Sequence, residues 1–441
     1  MSSGKDMIEK VRAAGVVGAG GAGFPTHVKL SASADTVIAN GAECEPLIDS
    51  DRQLLKREPE KVIRGLEAAM TAVGANRGVI ALKAKHKDLV RTLGDLISDK
   101  KKLELFLLGD FYPAGDEHVL VYEVTKRVVP MGGIPINKGV LVDNVYTLKA
   151  VSDALDGKSF TYRYVTVAGE VNEPKVALVP IGMAIEETID KAAGGIRGTG
   201  RKVIVGGPMM GRMEEDLQKP VLKTTNAILV LPGDSRTVEL KSTSLKAVVR
   251  RSRSACCQCS YCTDMCPRFL LGHDLSPHKI MRVLPYIQGE LDTGLVYSAA
   301  LCSECNLCGY YTCSMGLSPN SINVMLKGLV KTDLAKMKMS EVNEYRDDRK
   351  VPVKRLTARM GLQGYEADLE FDDRQIMTER LTLPLKQHIG EPCVPVVEKN
   401  DRVKAGQVVA RAAEGRLGAD LHTPFAGTVL DARDPIVIDC R

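Results

Sequence analysis

Apolar runs alternate with helical patterns through the first third of the chain. The apolar segments at residues 36–40, 78–84 and 103–110 have the length and continuity of buried parallel strands. A helical spacing of apolar positions over residues 59–73 separates the first two of them. Because strands that alternate with helices pair in parallel sheets, we expect residues 1–160 to form one α/β domain.

The hydrophobic pattern changes again in the later parts of the chain. Residues 161–235 combine short alternating strands with one helical pattern, which predicts a small α+β module. Residues 333–376 are dense in charge, which predicts a linker or solvated helices. Residues 377–441 alternate in period two with Gly or Pro at the turns, as in a small β sandwich. The predicted fold class is therefore multidomain α/β.

Length, charge and composition exclude several classes of protein for this chain. A chain of 441 residues is too long for one hydrophobic core and is expected to divide into about three or four domains. The formal net charge is only +5, with acids and bases interspersed, which predicts neither a nucleic-acid nor an integral membrane role. No apolar run approaches the ~18 residues of a membrane span, and the N-terminus lacks the apolar stretch of a signal peptide. We therefore expect a cytoplasmic protein.

Two runs of closely spaced cysteines stand in the third quarter of the chain. The runs are Cys256, Cys259, Cys262 and Cys266, followed by Pro267, and then Cys302, Cys305, Cys308 and Cys313. The first spacing is that of bacterial ferredoxins, in which the fourth cysteine ligates the neighbouring cluster. A pair of zinc sites is the alternative, but zinc loops usually pair two CxxC knuckles across a longer stretch. Residues 245–332 are therefore predicted to be a ferredoxin-like domain with two [4Fe-4S] clusters.

The same rule assigns the thiolates to clusters, because the last cysteine of each run is expected to cross to the other cluster. Set one is Cys256, Cys259, Cys262 and Cys313, and set two is Cys266, Cys302, Cys305 and Cys308. Cys257 is left over and is interpreted as a packed or tolerated thiol. The remaining three cysteines are widely scattered, which is typical of a reducing cytoplasm rather than of a disulfide framework.

A glycine-rich segment spans Gly18 to Thr26, with glycines at positions 18, 20, 21 and 23. Without side chains, the backbone N–H groups of such a loop can approach a phosphate or a ligand ring closely. A flexible turn between two elements is the alternative interpretation. Three polar segments at residues 40–46, 112–117 and 142–147 each follow an apolar run, at the strand ends where open α/β sheets bind ligands.

These four segments, in this order, resemble the flavin domain shared by the flavin-carrying subunit of respiratory complex I and the RnfC subunit of the Rnf complex. The resemblance implies that residues 1–160 form a Rossmann-like domain that binds FMN and accepts hydride from NADH. It implies a flavin and dinucleotide site formed by Gly18, Gly20, Gly21, Gly23, Phe24, Lys29, Asn40, Glu43, Gly115, Asp116, Glu117, Asn144 and Thr147. Within that set, Glu43 and Glu117 are the expected catalytic residues, and Phe24 is expected at the nicotinamide.

The later segments extend the resemblance over the whole chain. Residues 161–235 resemble an SLBB β-grasp module, and the GGPMMG sequence at 206–211 is similar to a segment of RnfC proteins. Residues 377–441 resemble the barrel-sandwich hybrid that RnfC places first. With the sandwich last, the order resembles that of the cobalamin reductases of bacterial microcompartments. This implies cobalamin as electron acceptor, a cobalamin adenosyltransferase and the microcompartment shell as partners, and a location inside a microcompartment.

Two alternatives stay open from the sequence. The first keeps the enzyme but changes the acceptor to ferredoxin, flavodoxin or quinone, for example in a microcompartment built around a glycyl-radical enzyme. The second is an electron-transfer module that docks on a larger assembly, as RnfC does, without catalysis of its own.

Overall fold

The computed structural model describes residues 4–283, 297–328 and 339–441. Parts of the predicted ferredoxin-like domain and charged linker, residues 284–296 and 329–338, lie outside the described residues. In chain order, the N-terminal domain consists of α1 (Gly4–Ala13), α2 (Thr26–Leu30), β1 (Thr36–Gly41), α3 (Ser50–Arg57), α4 (Pro59–Val73), β2 (Arg77–Lys83), α5 (Lys87–Ile97), β3 (Leu103–Leu108), β4 (Phe111–Tyr112), α6 (Glu117–Thr125), a 3-10 turn (Pro135–Lys138), β5 (Val140–Asn144) and α7 (Val145–Leu155).

Four parallel strands form the central sheet of this domain. Their order is β3-β2-β1-β5. Strands β2 and β3 therefore lie on one side of β1, and β5 pairs with the other side of β1. The three strands predicted from apolar runs are confirmed as β1, β2 and β3. The reversal of strand order leaves a crevice between the carboxyl ends of β1 and β5, which is where open α/β sheets bind ligands.

The N-terminal helix packs against its own domain. Val11 is fully buried, and Met7 and Ile8 are partly buried against the main hydrophobic core. Helix α1 contacts α2, α4 and α7. The apolar stripe of α1 is therefore covered by the sheet domain to which the glycine loop also belongs.

The second module is a six-stranded sheet with one helix packed on it. Its elements are β6 (Tyr162–Gly169), β7 (Lys175–Pro180), α8 (Ile185–Ala193), β8 (Arg201–Val205), β9 (Arg212–Glu214) and β10 (Ala227–Pro232), and a later segment adds β12 (Glu370–Asp372). The strand order is β12-β7-β6-β10-β8-β9, with β6 and β10 parallel and β6 and β7 antiparallel. Helix α8 packs on β6 and β7.

Short helices frame the two cysteine runs. A π-helical turn at Cys308–Thr312 contains the third cysteine of the second run, and the fourth, Cys313, follows directly after the turn. The helices are α9 (Arg236–Ser242), α10 (Leu245–Ala255), α11 (Tyr261–Asp264), α12 (Pro267–Leu270), α13 (Pro277–Val283) and α14 (Pro319–Lys327).

The described part of the predicted charged linker is integrated into the fold, which differs from the interpretation as a linker or solvated helices. It contains β11 (Val351–Pro352), α15 (Val353–Arg359), a 3-10 turn (Gln363–Tyr365) and β12 (Glu370–Asp372). Strand β11 pairs with β4, and β12 extends the six-stranded sheet beside β7. Some of the charges that suggested solvation are paired with other elements, as in the ion pairs of Arg346 with Glu123 and of Asp368 with Arg52.

The C-terminal module consists of two small sheets, in agreement with the sandwich predicted from the period-two pattern. One sheet has the order β13-β19-β18-β15 and the other has the order β14-β16-β17. The strands are β13 (Arg380–Leu383), β14 (Val394–Pro395), β15 (Arg402–Val403), β16 (Val408–Arg411), β17 (Leu421–His422), β18 (Gly427–Asp431) and β19 (Ile436–Asp439). Across the three described ranges, no helix combines the length and the apolar character needed to cross a bilayer.

The close approach of α4 and α7 generates a stability prediction. A β-carbon at Gly65 in α4 would come within 1.9 Å of the backbone oxygen of Leu148 in α7. We expect Gly65→Ala to force the helices apart and to destabilise the protein by about 1–3 kcal/mol. Gly94→Ala in α5 is the matched control, because a β-carbon there meets no atom closer than 3.8 Å. The control should gain about 1 kcal/mol of helix stability. Thermal melting compares the two variants, and equal melting temperatures would contradict the prediction.

Candidate functional site

The glycine loop between α1 and α2 has a defined backbone conformation. The amide of Gly18 donates to the carbonyl of Phe24 at 2.8 Å, which closes the loop at its base. The side chain of Phe24 is half-buried. Gly21 and Gly23 have φ angles of +115° and +71°, in the left-handed region that favours glycine. The loop therefore has a hydrogen-bonded base and two positions at which the backbone favours glycine.

The tip of the loop faces open space at the crevice between β1 and β5. A β-carbon at Gly20 would meet only the Cβ of Asn144, at 3.6 Å, and one at Gly21 would meet no atom within 4 Å. Asn144 is the last residue of β5, so the loop tip lies at the carboxyl edge of the sheet. An open glycine backbone at this edge is a cradle that suits a flavin nucleotide, so the residues present fit FMN.

Three modules hold this one loop. Thr147 of α7 accepts a hydrogen bond from the amide of Ala19 at 2.9 Å through Oγ1. Arg163 of the six-stranded module donates to the carbonyl of Ala19 at 3.1 Å. The amide of Ile389 in the C-terminal module donates to the carbonyl of Gly23 at 3.0 Å.

Lys29 lies next to the loop with its charge fully compensated. Its Nζ is 3.1 Å from Oδ1 of Asp143 and 3.6 Å from Oε1 of Glu117, and it also donates to the carbonyl of Val142. Burial works against the charged form, but the carboxylates of Asp143 and Glu117 outweigh it and raise the pKa of Lys29. Lys29 therefore joins α2 to β5 and to the start of α6 as a charged group.

Glu43 and Asp51 form an acidic pair beside the crevice. Glu43 has a φ angle of +32°, and its carboxylate accepts the amides of Asp51 and Arg52 at 2.7 Å and 3.0 Å, at the start of α3. Asp51 accepts Nδ2 of Asn144 at 2.7 Å. Burial, and then the charge of Asp51, raises the pKa of Glu43, and burial also raises the pKa of Asp51. The pair therefore links Glu43 to Asn144 beside the loop tip.

The remaining predicted residues lie at the same edge. Nδ2 of Asn40, near the end of β1, donates to the carbonyl of Gly115 at 2.9 Å. Asp116 caps α6, because its carboxylate accepts the amides of His118 and Val119 at 3.1 Å and 3.2 Å. The structure thus brings the four segments singled out in the sequence to one edge of the sheet.

The cysteines of set one share one surface cavity. Its lining includes these four cysteines together with Cys257 and His278. Cys257 and Cys259 are exposed to solvent. Burial, and then the charge of Cys313, raises the pKa of Cys262 to about 12. A thiol of the second run is therefore the one that acts most strongly on Cys262 of the first run.

The cysteines of set two are all buried. Burial, and then the charge of Cys266, raises the pKa of Cys305. Burial, and then the charges of Cys302, Cys305 and Cys266, raises the pKa of Cys308. Cys266 of the first run therefore lies among the thiols of the second run.

Each set offers four thiols, which is the donor set of a [4Fe-4S] cluster. The raised pKa of a buried thiol falls when a metal ion binds the thiolate and supplies positive charge. No group of three or more His, Cys, Asp or Glu side chains in the described ranges is arranged around a single metal ion. The ligands of a four-iron cluster are spread around a cube, because each thiolate binds its own iron.

The segment at residues 112–117 joins the glycine-loop domain to set two. The buried hydroxyl of Tyr112 donates to the carbonyl of Cys305 at 2.8 Å. Asp116 forms an ion pair with Arg268 at 3.0 Å, and both side chains are nearly buried. One short segment therefore borders the crevice on one side and the cysteine loops on the other.

The GGPMMG segment forms a second connection. The carboxylate of Glu45 accepts the amides of Met209 and Met210 at 2.7 Å and 2.9 Å. Asn306, next to Cys305, donates to the carbonyl of Met209 at 2.8 Å. A β-carbon at Gly207 would lie 2.2 Å from the Glu45 carboxylate, so only glycine fits there. This segment therefore links the residues that follow β1, the six-stranded module and set two.

Sequence reasoning missed several residues of this site. Tyr112 begins a polar segment that the sequence did single out, and Arg268 lies two residues after Cys266, so position along the chain was an available signal for both. No such signal in the sequence pointed to Asp51 or to Arg163. An arginine in a β-strand pattern is usually exposed, and only the fold shows that Arg163 is buried under the loop.

Four family models match successive parts of the chain. They are the Nuo51 FMN-binding domain at residues 11–153, the SLBB domain at 164–212, the 4Fe-4S dicluster domain at 255–318 and the RnfC barrel sandwich hybrid domain at 372–438. These matches confirm the fold class predicted from the sequence. They also show an FMN-binding domain and an iron-sulfur domain in one chain, as in an oxidoreductase.

Similar proteins cover nearly the whole chain. Cobalamin reductase PduS of Citrobacter freundii is 41% identical over 98% of this chain and 96% of its own length. Cobalamin reductase PduS of Salmonella typhimurium is 40% identical over 97% and 94%. One component of the Na(+)-translocating ferredoxin:NAD(+) oxidoreductase complex of Acetobacterium woodii is 36% identical over 59% and 58%.

A chain of the NAD+-reducing [NiFe]-hydrogenase in the H2-reduced state shares the fold, with a TM-score of 0.51 over 75% of this chain and 64% of that chain. Its 23% identity extends the likeness no further than the fold. The two PduS relatives, by contrast, are at least 40% identical to this chain along almost their full length. This similarity shows that this flavo-iron-sulfur oxidoreductase belongs to the PduS cobalamin reductase family.

Proposed function

We propose that this protein is an NADH-dependent oxidoreductase that reduces cobalamin, with FMN and two [4Fe-4S] clusters as its resident groups. The hydrogen bond from Tyr112 to Cys305 carries the proposal, because it joins the candidate flavin crevice to a cysteine set through one segment. When bound, FMN exchanges a hydride for single electrons, and each cubane carries one electron at a time.

The chain's own residues hold and shape these sites. The open backbone at Gly20 and Gly21 is the proposed flavin cradle, and Glu43 and Glu117 are the proposed acids beside it. Phe24 is proposed at the nicotinamide. The rest of the proposed flavin and dinucleotide site is Gly18, Gly23, Lys29, Asn40, Gly115, Asp116, Asn144 and Thr147.

The unequal burial of the cysteine sets supports a direction for electron flow. Set two is buried and contacts the segment at 112–117. Set one lines a surface cavity, with Cys259 exposed. We infer that electrons enter on the side of set two and leave on the side of set one.

The proposed acceptor comes from the relatives of matching length, which are named cobalamin reductases. A cobalamin adenosyltransferase and the shell of a microcompartment are the proposed partners, with the interior of that compartment as the proposed location. A second candidate is an electron-transfer component that serves ferredoxin, flavodoxin or quinone. It is favoured by the 36% identity to a component of a ferredoxin:NAD(+) oxidoreductase complex.

An anaerobic assay tests the acceptor. The purified protein receives NADH, cob(II)alamin, ATP and a cobalamin adenosyltransferase, and the absorbance of adenosylcobalamin is followed. We expect product that depends on this protein and on NADH. Parallel assays replace cobalamin by ferredoxin, by flavodoxin or by an artificial one-electron acceptor. Reduction of the artificial acceptor without any adenosylcobalamin would exclude cobalamin and leave the second candidate.

A cysteine variant tests the crossed ligation. We expect Cys266→Ala to remove the EPR signal of the cluster held by set two, although Cys266 belongs to the first cysteine run, because its thiol lies with Cys305 and Cys308. Iron analysis and EPR of the reduced protein measure the effect. Cys257→Ser is the matched control and should retain its full iron content. A signal lost from the set-one cluster alone would refute the crossing.

A glycine variant tests the flavin cradle. The protein itself leaves room for a side chain at Gly20, so Gly20→Val should fold but fill the space proposed for the ligand. We expect this variant to keep its iron and to purify without flavin. Gly364→Val is the control, because no atom lies within 4 Å of a β-carbon there either. Stoichiometric FMN in the Gly20→Val protein would show that the loop does not hold the flavin.

A further inference from the structure

Arg163 is a buried cation that reaches the glycine loop from another module. It lies on β6, and only 1% of the residue is exposed. Its Nε donates to the carbonyl of Thr225 at 3.1 Å and one Nη donates to the carbonyl of Ala19 at 3.1 Å. The guanidinium lies 4.3 Å from the ring centroid of Tyr146. Its other Nη has no hydrogen-bond partner among the described residues.

The charge of Arg163 lacks a paired counter-charge within the described part of the chain. The carboxylate that acts on it is that of Asp51, which accepts a hydrogen bond from Asn144 and forms no ion pair with Arg163 in the described ranges. Burial lowers the pKa of Arg163, and burial raises the pKa of Asp51. A buried charge is costly unless an opposite charge and hydrogen bonds compensate it. The contact with the Tyr146 ring supplies only a part of that compensation.

Lys29, the cation that the family resemblance implies at the flavin, is in the opposite situation. The carboxylates of Asp143 and Glu117 lie within ion-pair distance of its Nζ. An additional anion would have to compete with both of them. Of these two cations near the loop, Arg163 therefore has the unused charge and the unused N–H group.

We propose that Arg163 is the anion-binding residue of the flavin site and that the phosphate of FMN is its counter-charge. The inference rests on the proposed function, because it takes FMN as the ligand. A guanidinium suits this role, since it stays charged when buried and its planar N–H groups match phosphate oxygens. The bond to Ala19 also fixes the loop beside the group that Arg163 binds. The six-stranded module is then a part of the flavin site.

Riboflavin provides the test, because it has the ring of FMN and lacks the phosphate. Flavin-free protein is titrated with FMN and with riboflavin, and fluorescence quenching gives the two dissociation constants. Their ratio isolates the contribution of the phosphate. We expect Arg163→Gln to reduce the preference for FMN by roughly tenfold or more, as for a lost charge-assisted bond. Arg163→Lys should keep the preference within about threefold, because the charge remains.

Arg346→Gln is the matched control, because Arg346 is also a buried arginine but is paired with Glu123 instead of bonding to the glycine loop. It should leave the ratio of the two constants unchanged. Circular dichroism and iron content establish that each variant is folded. If Arg163→Gln does not fold, Arg163→Met decides, because it also removes the charge: a preference for FMN reduced by roughly tenfold supports the proposal and an unchanged ratio overturns it. An unchanged ratio in folded Arg163→Gln, a lost ratio in Arg346→Gln, or a change confined to NADH affinity would also overturn it. Unaltered protein that binds neither flavin would instead reject the proposed function.

Discussion

The contact between the segment at residues 112–117 and the cysteine loops is the constraint on which the rest of the site depends. Tyr112 donates a buried hydrogen bond to Cys305, and Asp116 is paired with Arg268. A buried polar group left without its partner costs about 1–3 kcal/mol. Breaking a buried ion pair costs about 3–5 kcal/mol. Any shift of one domain against the other loses both contacts, so the spacing between the crevice and set two is held.

The glycine loop depends on the other modules in a similar way. Its carbonyl groups are held by Arg163 from the six-stranded module and by Ile389 from the C-terminal sandwich. The buried Nζ of Lys223 also joins the carbonyl of Gly15 to that of Asp420, at 2.7 Å and 2.6 Å. The sandwich is last in this chain, yet it contacts a loop near the start. The position of the sandwich along the chain therefore does not decide which loop it contacts, because the fold brings the two together.

The two cysteine sets differ in burial although their motifs are nearly the same. Set two is enclosed between the sheet domain and the GGPMMG segment, whereas set one opens to the surface. The difference comes from what packs against each loop, because the spacing of the thiols within each run is similar. The chain therefore has an inner set of four thiols next to the crevice and an outer set that opens to the surface.

The sequence by itself determined the features that short-range patterns record. Continuous apolar runs predicted β1, β2 and β3, since a strand buried on both faces must be apolar throughout. The cysteine spacing predicted the two donor sets through the ferredoxin rule that the last cysteine of each run crosses to the other cluster, and this assignment stays a prediction. Tertiary structure alone decided the pairing of distant side chains. Tyr112 and Cys305 are 193 residues apart, and the charges of the segment after residue 339 meet partners such as Glu123. Arg163 likewise shows its burial and its unpaired charge only where the fold has brought two modules together, because periodicity does not encode which elements will meet.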